Sequence, residues 1–393
     1  GGDLNVAGNT EGIETVNVNG RWNGSSGTPD DNDLTFDVQD MAGVQTLLND
    51  GSSNTTADGS TETLTFDNVS LDTTVGMRNT AVATTVNFND VTGDDDTANI
   101  LLDGVAAEVA GPNNDADDEQ ASAFTANDVE TFDITTEGDA SILSNLNGDD
   151  VETVNVSGSA DFTVSGLASG ITTVDANSLE GALDVTAGGT DLSITGTAND
   201  DTFRFAGNLD SNDTVEGGEG SDTISVQNSG GISASAFANV SDVEELSVAD
   251  NGDAEVNVAN LGDSFEVVNF AITDNSGGGQ DFDVTANGLE SGNAVNVTSA
   301  NLQNNTDPSS ATSLNGLGVV ELNLADASGE SDSLTLDLMN NNDSEALQDL
   351  VAEFTDFRGL FTTQTVNAVG VETVTLNGTG ELGPNRVEDL NAD

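Results

Sequence analysis

The sequence predicts an all-β protein: a parallel β-solenoid or β-roll and/or tandem β-sandwich domains, with one or two short helices. Three observations carry that prediction. A six-residue strand motif recurs along the chain, neighbouring copies in the middle start 20 to 22 residues apart, and Gly, Asn, Asp and Ser fill the intervals.

The motif reads apolar-Glu-Thr-apolar-polar-apolar. Its clearest copies occupy residues 13–18, 129–134, 151–156 and 371–376, and looser copies lie at 61–66, 243–248, 265–270 and 319–324. In each, the last three residues alternate as a half-buried strand requires, with β-branched residues inward and Thr, Asn or Asp outward. Copies start at Val129, Val151 and Ile171, with a weaker one near Asp191, which is the spacing of one turn of a wound solenoid. Short strands separated by turn signals also suit β-sandwiches, and the two ends of the chain admit that alternative.

Two segments have helical period. In one, Asp343 or Ser344 can cap a helix whose Leu347, Leu350, Val351 and Phe354 share a face. The other, weaker, runs over residues 40–48 with Met41, Val44, Leu47 and Leu48. Polar, Gly- and Pro-bearing stretches at 25–31, 111–115, 275–279 and 304–308 read as linkers. The expected organisation is an N-terminal β domain (1–110), a central solenoid (111–274) holding a distinct segment at 196–226, and a C-terminal β domain (275–393) with a helix near 343–356.

Charge sets the next constraint. The chain of 393 residues has 71 Asp plus Glu against 5 Lys plus Arg, a net charge of -66, and all five cations are arginines. Such an excess opposes compaction unless cations neutralise it. It argues against nucleic acid and anionic lipid, which are drawn to basic clusters. No apolar run approaches the roughly 18 residues of a membrane span, so no direct membrane insertion is expected, and the start, Gly1-Gly2-Asp3-Leu4, is no signal peptide. With no His, Cys, Lys or Tyr, imidazole and thiolate ligands, thiol nucleophiles and Schiff-base chemistry are excluded. A carbohydrate-active solenoid could still use paired carboxylates, but it ordinarily holds sugar on aromatic platforms, and Trp22 is the only Trp. The expectation is a non-enzymatic protein.

One segment carries specific chemistry. Gly217-Gly218-Glu219-Gly220-Ser221-Asp222-Thr223-Ile224 fits the nonapeptide pattern Gly-Gly-x-Gly-x-Asp-x-apolar, and Asp213 stands nine residues before Asp222. An earlier stretch, Gly196-Thr197-Ala198-Asn199-Asp200-Asp201-Thr202-Phe203, fits with Thr197 and Asn199 in the second and third Gly places. A Gly-rich half-turn exposes backbone carbonyls, the Asp adds a carboxylate, and stacked turns gather such oxygens around a hard cation. The candidate ligands are Asn199, Asp201, Asp213, Gly217, Glu219 and Asp222. Weaker acidic clusters are Asp94 to Asp96 and Asp149-Asp150, each following a glycine, together with residues 30–33 and 115–119; of these Asp94, Asp96, Asp149 and Asp150 are carried forward as metal candidates.

Over residues 196–226 the chain resembles the RTX (repeats-in-toxin) calcium-binding β-roll. With its Glu-Thr strands it is similar to the RTX-bearing surface-layer proteins of Gram-negative bacteria. That resemblance implies Ca²⁺ as cofactor, secretion to the cell surface or extracellular matrix, and calcium-dependent assembly of copies into a layer or filament. Cell-surface polysaccharide is a further candidate partner. The alternative it leaves is a calcium-rigidified module of a secreted adhesin or RTX protein. Family β-rolls run several nonapeptides without a break, whereas Asp201 and Asp213 are twelve apart here, so one or two ions are expected.

Overall fold

The computed structural model describes residues 4–22, 33–54, 62–105, 122–227, 231–250, 252–272, 282–299, 317–326, 332–340, 362–368, 371, 373–379 and 386–391. Their regular secondary structure is almost all strand, and the strands pair in parallel. A β-sandwich needs antiparallel neighbours. Both ends are parallel too: Leu4–Glu11 pairs with Leu34–Ala42, and Thr362–Asn367 with Arg386–Asn391. Among the described residues the architecture is therefore the solenoid at both ends as well as in the middle. The chain forms two compact units, Gly1–Arg204 with Thr214–Gly220, and Phe205–Asp213 with Ser221–Asp393.

In the first unit one sheet runs through Thr15–Val18, Thr46–Asp50, Thr74–Arg78, Thr97–Asp103, Thr131–Glu137, Thr153–Gly158, Thr173–Leu179, Ser193–Thr195 and Thr214–Glu216. A second sheet stacks six strands from Leu4–Glu11 to Asn145–Asn147, and a third starts at Ser141–Leu143 and takes its place in the later turns. Thr131 pairs with Thr153, Thr153 with Thr173, Thr173 with Ser193 and Ser193 with Thr214, so one turn takes 20 to 22 residues there, against 25 to 34 in the turns before Thr131. In the second unit, strands of a sheet from Thr223–Gln227 to Thr373–Thr379 alternate along the chain with those of a sheet from Ala254–Asn257 to Arg386–Asn391.

The motif explains the stacking residue by residue. Its second apolar position faces inward and lines up from turn to turn: Ala98, Phe132, Val154, Val174, Ile194 and Val215 form one file, each at most 1% exposed. Each such side chain contributes about 1.5–3 kcal/mol by leaving water. The polar position faces outward, where Asn155 Nδ2 donates to Asp133 Oδ1 of the neighbouring turn at 2.7 Å. The Glu sits at the corner before the strand. Glu152 and Thr153 N–H groups both donate to Glu130 O, which sets the register of the next turn. At two corners the carboxylate also reaches one turn back: Glu130 Oε2 accepts from Asp96 N at 2.6 Å, and Glu244 Oε2 from Asp222 N at 2.8 Å. A corner amide that a strand ladder would leave open is thereby satisfied.

Among the described residues the only helical piece is a 3-10 turn, Ala234–Phe237. The helix expected over 40–48 is absent. Strands Leu34–Ala42 and Thr46–Asp50 stand there, parted at Gly43, whose φ of +95° ends any helix. Leu47 pairs with Val16 on one side and Val75 on the other, so strand pairing and burial outweighed a weak periodic pattern. The helix expected near 343–356 and the four linker stretches lie outside the described residues.

Candidate calcium-binding turns

The nonapeptide-like segment divides between the units, so each part is described within its own. In the first unit the turn at 196–201 stacks against that at 216–220. Gly196 N donates to Glu216 O at 2.8 Å and Glu219 N to Thr197 O at 3.3 Å. Gly218 has φ of +119°, and a Cβ there would collide with the Thr197 carbonyl oxygen. The two backbones touch because that residue has no side chain. Asn199 ties the lower turn to the one before it, its Nδ2 donating to Glu180 O at 3.0 Å and Gly181 O at 3.1 Å.

Asp201 is the most enclosed candidate of this unit, 1% exposed. Its Oδ2 accepts from Thr197 N at 2.6 Å; its Oδ1 accepts from Leu183 N at 2.7 Å and Thr197 Oγ1 at 3.0 Å. Burial holds its carboxyl above the usual carboxylate value. The Leu183 and Thr197 donors pull it down and the charge of Asp200 pushes it up further. Beside Gly196 a Cβ would collide with Gly217 O and lie 2.5 Å from Asp201 Oδ2. The Gly196 backbone is thus packed against a carbonyl oxygen, a carboxylate oxygen and, 3.0 Å from the same point, the Phe203 ring. Glu219 is exposed at the tip of the upper turn.

In the second unit Asp213 is 3% exposed, and its Oδ2 accepts from Asp210 N at 2.8 Å. Asp222 is fully buried, and its carbonyl accepts from Glu244 N and Glu245 N at 3.2 and 2.9 Å. The weaker candidates lie elsewhere in the first unit. Asp96 Oδ2 closes its own turn by accepting from Gly93 N at 3.1 Å, while Asp94, Asp149 and Asp150 are exposed on turns. Asp33 Oδ1 accepts from Thr63 N at 2.9 Å; residues 30–32 and 115–119 lie outside the described residues.

Thus the structure brings Asp201, Asn199, Gly217 and Glu219 into one pair of stacked turns and sets Asp94, Asp96, Asp149 and Asp150 apart from them. Among the described residues, no three acidic side chains converge on one point. A cation held by these turns would take oxygen ligands only, as Ca²⁺ prefers, most of them turn carbonyls and water with Asp201 as the carboxylate. The Thr197 hydroxyl, which donates to Asp201 Oδ1, was not singled out from sequence, where Thr197 stands only in a glycine place of the pattern. No family model, curated protein or solved structure matches this chain. Among the described residues no helix is long and apolar enough to cross a membrane.

Proposed function

We propose that this chain is a calcium-dependent, self-assembling structural protein, secreted and laid down at the cell surface as a layer or filament, with no enzymatic activity. The observation that carries the reading is the pair of stacked turns at 196–201 and 216–220, where close packing around Gly196 brings the Gly217 carbonyl oxygen near the buried Asp201 carboxylate. A divalent cation there would relieve the burial that now disfavours the Asp201 charge. The net charge of -66 supplies the second half of the argument: copies carrying it repel one another until cations are bound between or within them.

The test is far-UV circular dichroism combined with light scattering and electron microscopy, with and without a calcium chelator. Calcium is expected to sharpen the β signal and give large particles, and the chelator to reverse both. Unchanged fold and unchanged assembly without calcium would sink the proposal. A chain that binds calcium and stays monomeric would instead be a calcium-rigidified module of an adhesin.

A further inference from the structure

In the second unit a cleft of about 430 Å³ opens between two successive turns, the one at 207–211 and the one that carries the 3-10 turn. In the first unit, by contrast, the turns at 196–201 and 216–220 lie in backbone contact. At the cleft Asn239 Nδ2 spans to Ser211 O at 2.8 Å at one side, and the turns stand apart beside it. Aliphatic side chains, Val226, Leu209 and Ile232, form part of the lining. Asp210, Gln227, Ser233 and Ser235 bring the polar groups, and all four are exposed. The Ser233 and Ser235 hydroxyls are 2.8 Å apart and so act as a pair.

We infer that this cleft binds a neutral saccharide unit, a mono- or disaccharide alone or as part of a glycan. The lining holds no Arg, so it offers nothing to a phosphate or a carboxylate ligand. It has one carboxylate, too few for a dedicated cation site. What it offers is a mixture of hydroxyl, amide and carboxylate groups that donate and accept, beside aliphatic carbon on which the C–H face of a sugar ring can rest. The volume falls within the range of small-ligand sites. None of its lining residues is a calcium candidate named above, so this inference stands or falls apart from calcium-dependent assembly.

The experiment is saturation-transfer NMR on the full chain with glucose, galactose, mannose, N-acetylglucosamine and their common disaccharides, each supplied singly. At least one is expected to receive saturation. Ser233→Trp, which fills the cleft, should abolish the transfer, and Gln227→Ala should weaken binding by about threefold to tenfold, the effect of one hydrogen bond. Circular dichroism reports whether each variant is folded; if Ser233→Trp is not, Gln227→Ala carries the test. No transfer to any sugar, or undiminished transfer in the folded variants, overturns the inference.

Discussion

The turns from Thr131 to Thr214 and those from Ala294 to Thr375 follow one strand rule and opposite loop rules. In the first region a rung recurs every 20 to 22 residues, with turn backbones in contact. In the second, Ala294 pairs with Thr335 and Thr335 with Thr375, so 41 and then 40 residues separate rungs. The inward files are equally closed: Ile194 and Phe203 in the one, Leu334 and Leu336 in the other, are all at most 1% exposed. The ladder and its core define a rung, and the length of the connection is nearly free. Doubling a loop costs only about 0.6 kcal/mol in closure entropy.

Core truncation should give the largest effect and the same one in both regions. Phe203→Ala is expected to lose about 3–5 kcal/mol and Leu336→Ala about 2–5 kcal/mol, read from urea unfolding midpoints. A large loss at Phe203 with almost none at Leu336 would break the claim of a shared core.

A smaller effect should separate the regions. Gly218 and Gly292 both have positive φ, +119° and +104°, so alanine strains the backbone at either by about 1–3 kcal/mol. Only at Gly218 would the new Cβ meet a neighbouring turn; at Gly292 nothing lies within 4 Å among the described residues. Gly218→Ala should therefore lower the thermal midpoint more than Gly292→Ala. Equal shifts would mean that turn-on-turn contact contributes nothing in the tight region.

The smallest effect concerns Asp201 in calcium-free buffer. Its folded-state carboxyl sits above the unfolded value, so the folded chain holds that proton more tightly. Above the raised value its ionisation opposes folding; as pH falls through that value towards the ordinary one, the penalty is relieved. Wild type should thus gain stability relative to Asp201→Asn on mild acidification, with the difference between the two unfolding curves isolating this group. A difference independent of pH would contradict the burial.

The strands were legible in the sequence because the motif states its own geometry. Copies at 129–134 and 151–156 became Thr131–Glu137 and Thr153–Gly158, entering two residues late since the apolar-Glu pair forms the corner. Three-residue strands such as Ser141–Leu143 and Phe162–Val164 carry too little alternation to be seen locally; stacked neighbours make them strands. The segment at 40–48 misled because apolar residues at helical spacing can also be shared between two strands, Met41 in one and Leu47 and Leu48 in the next, with Val44 in the turn that joins them. At the candidate site the glycines and Asp201 could be read directly. The partners of the Asp201 carboxylate could not, since Leu183 comes from another turn and the Thr197 hydroxyl turns inward only in three dimensions.

The parallel rungs of the first unit also have a mechanical meaning. Their hydrogen bonds run from turn to turn, so tension that draws the turns apart loads them one after another rather than all at once. Each 20-residue turn that peels away would release about 70 Å of chain, while the next stays anchored to its own neighbour. A strand of such turns would lengthen stepwise, in near-equal steps between Thr131 and Thr214 and in longer ones over the 25- to 34-residue turns before them.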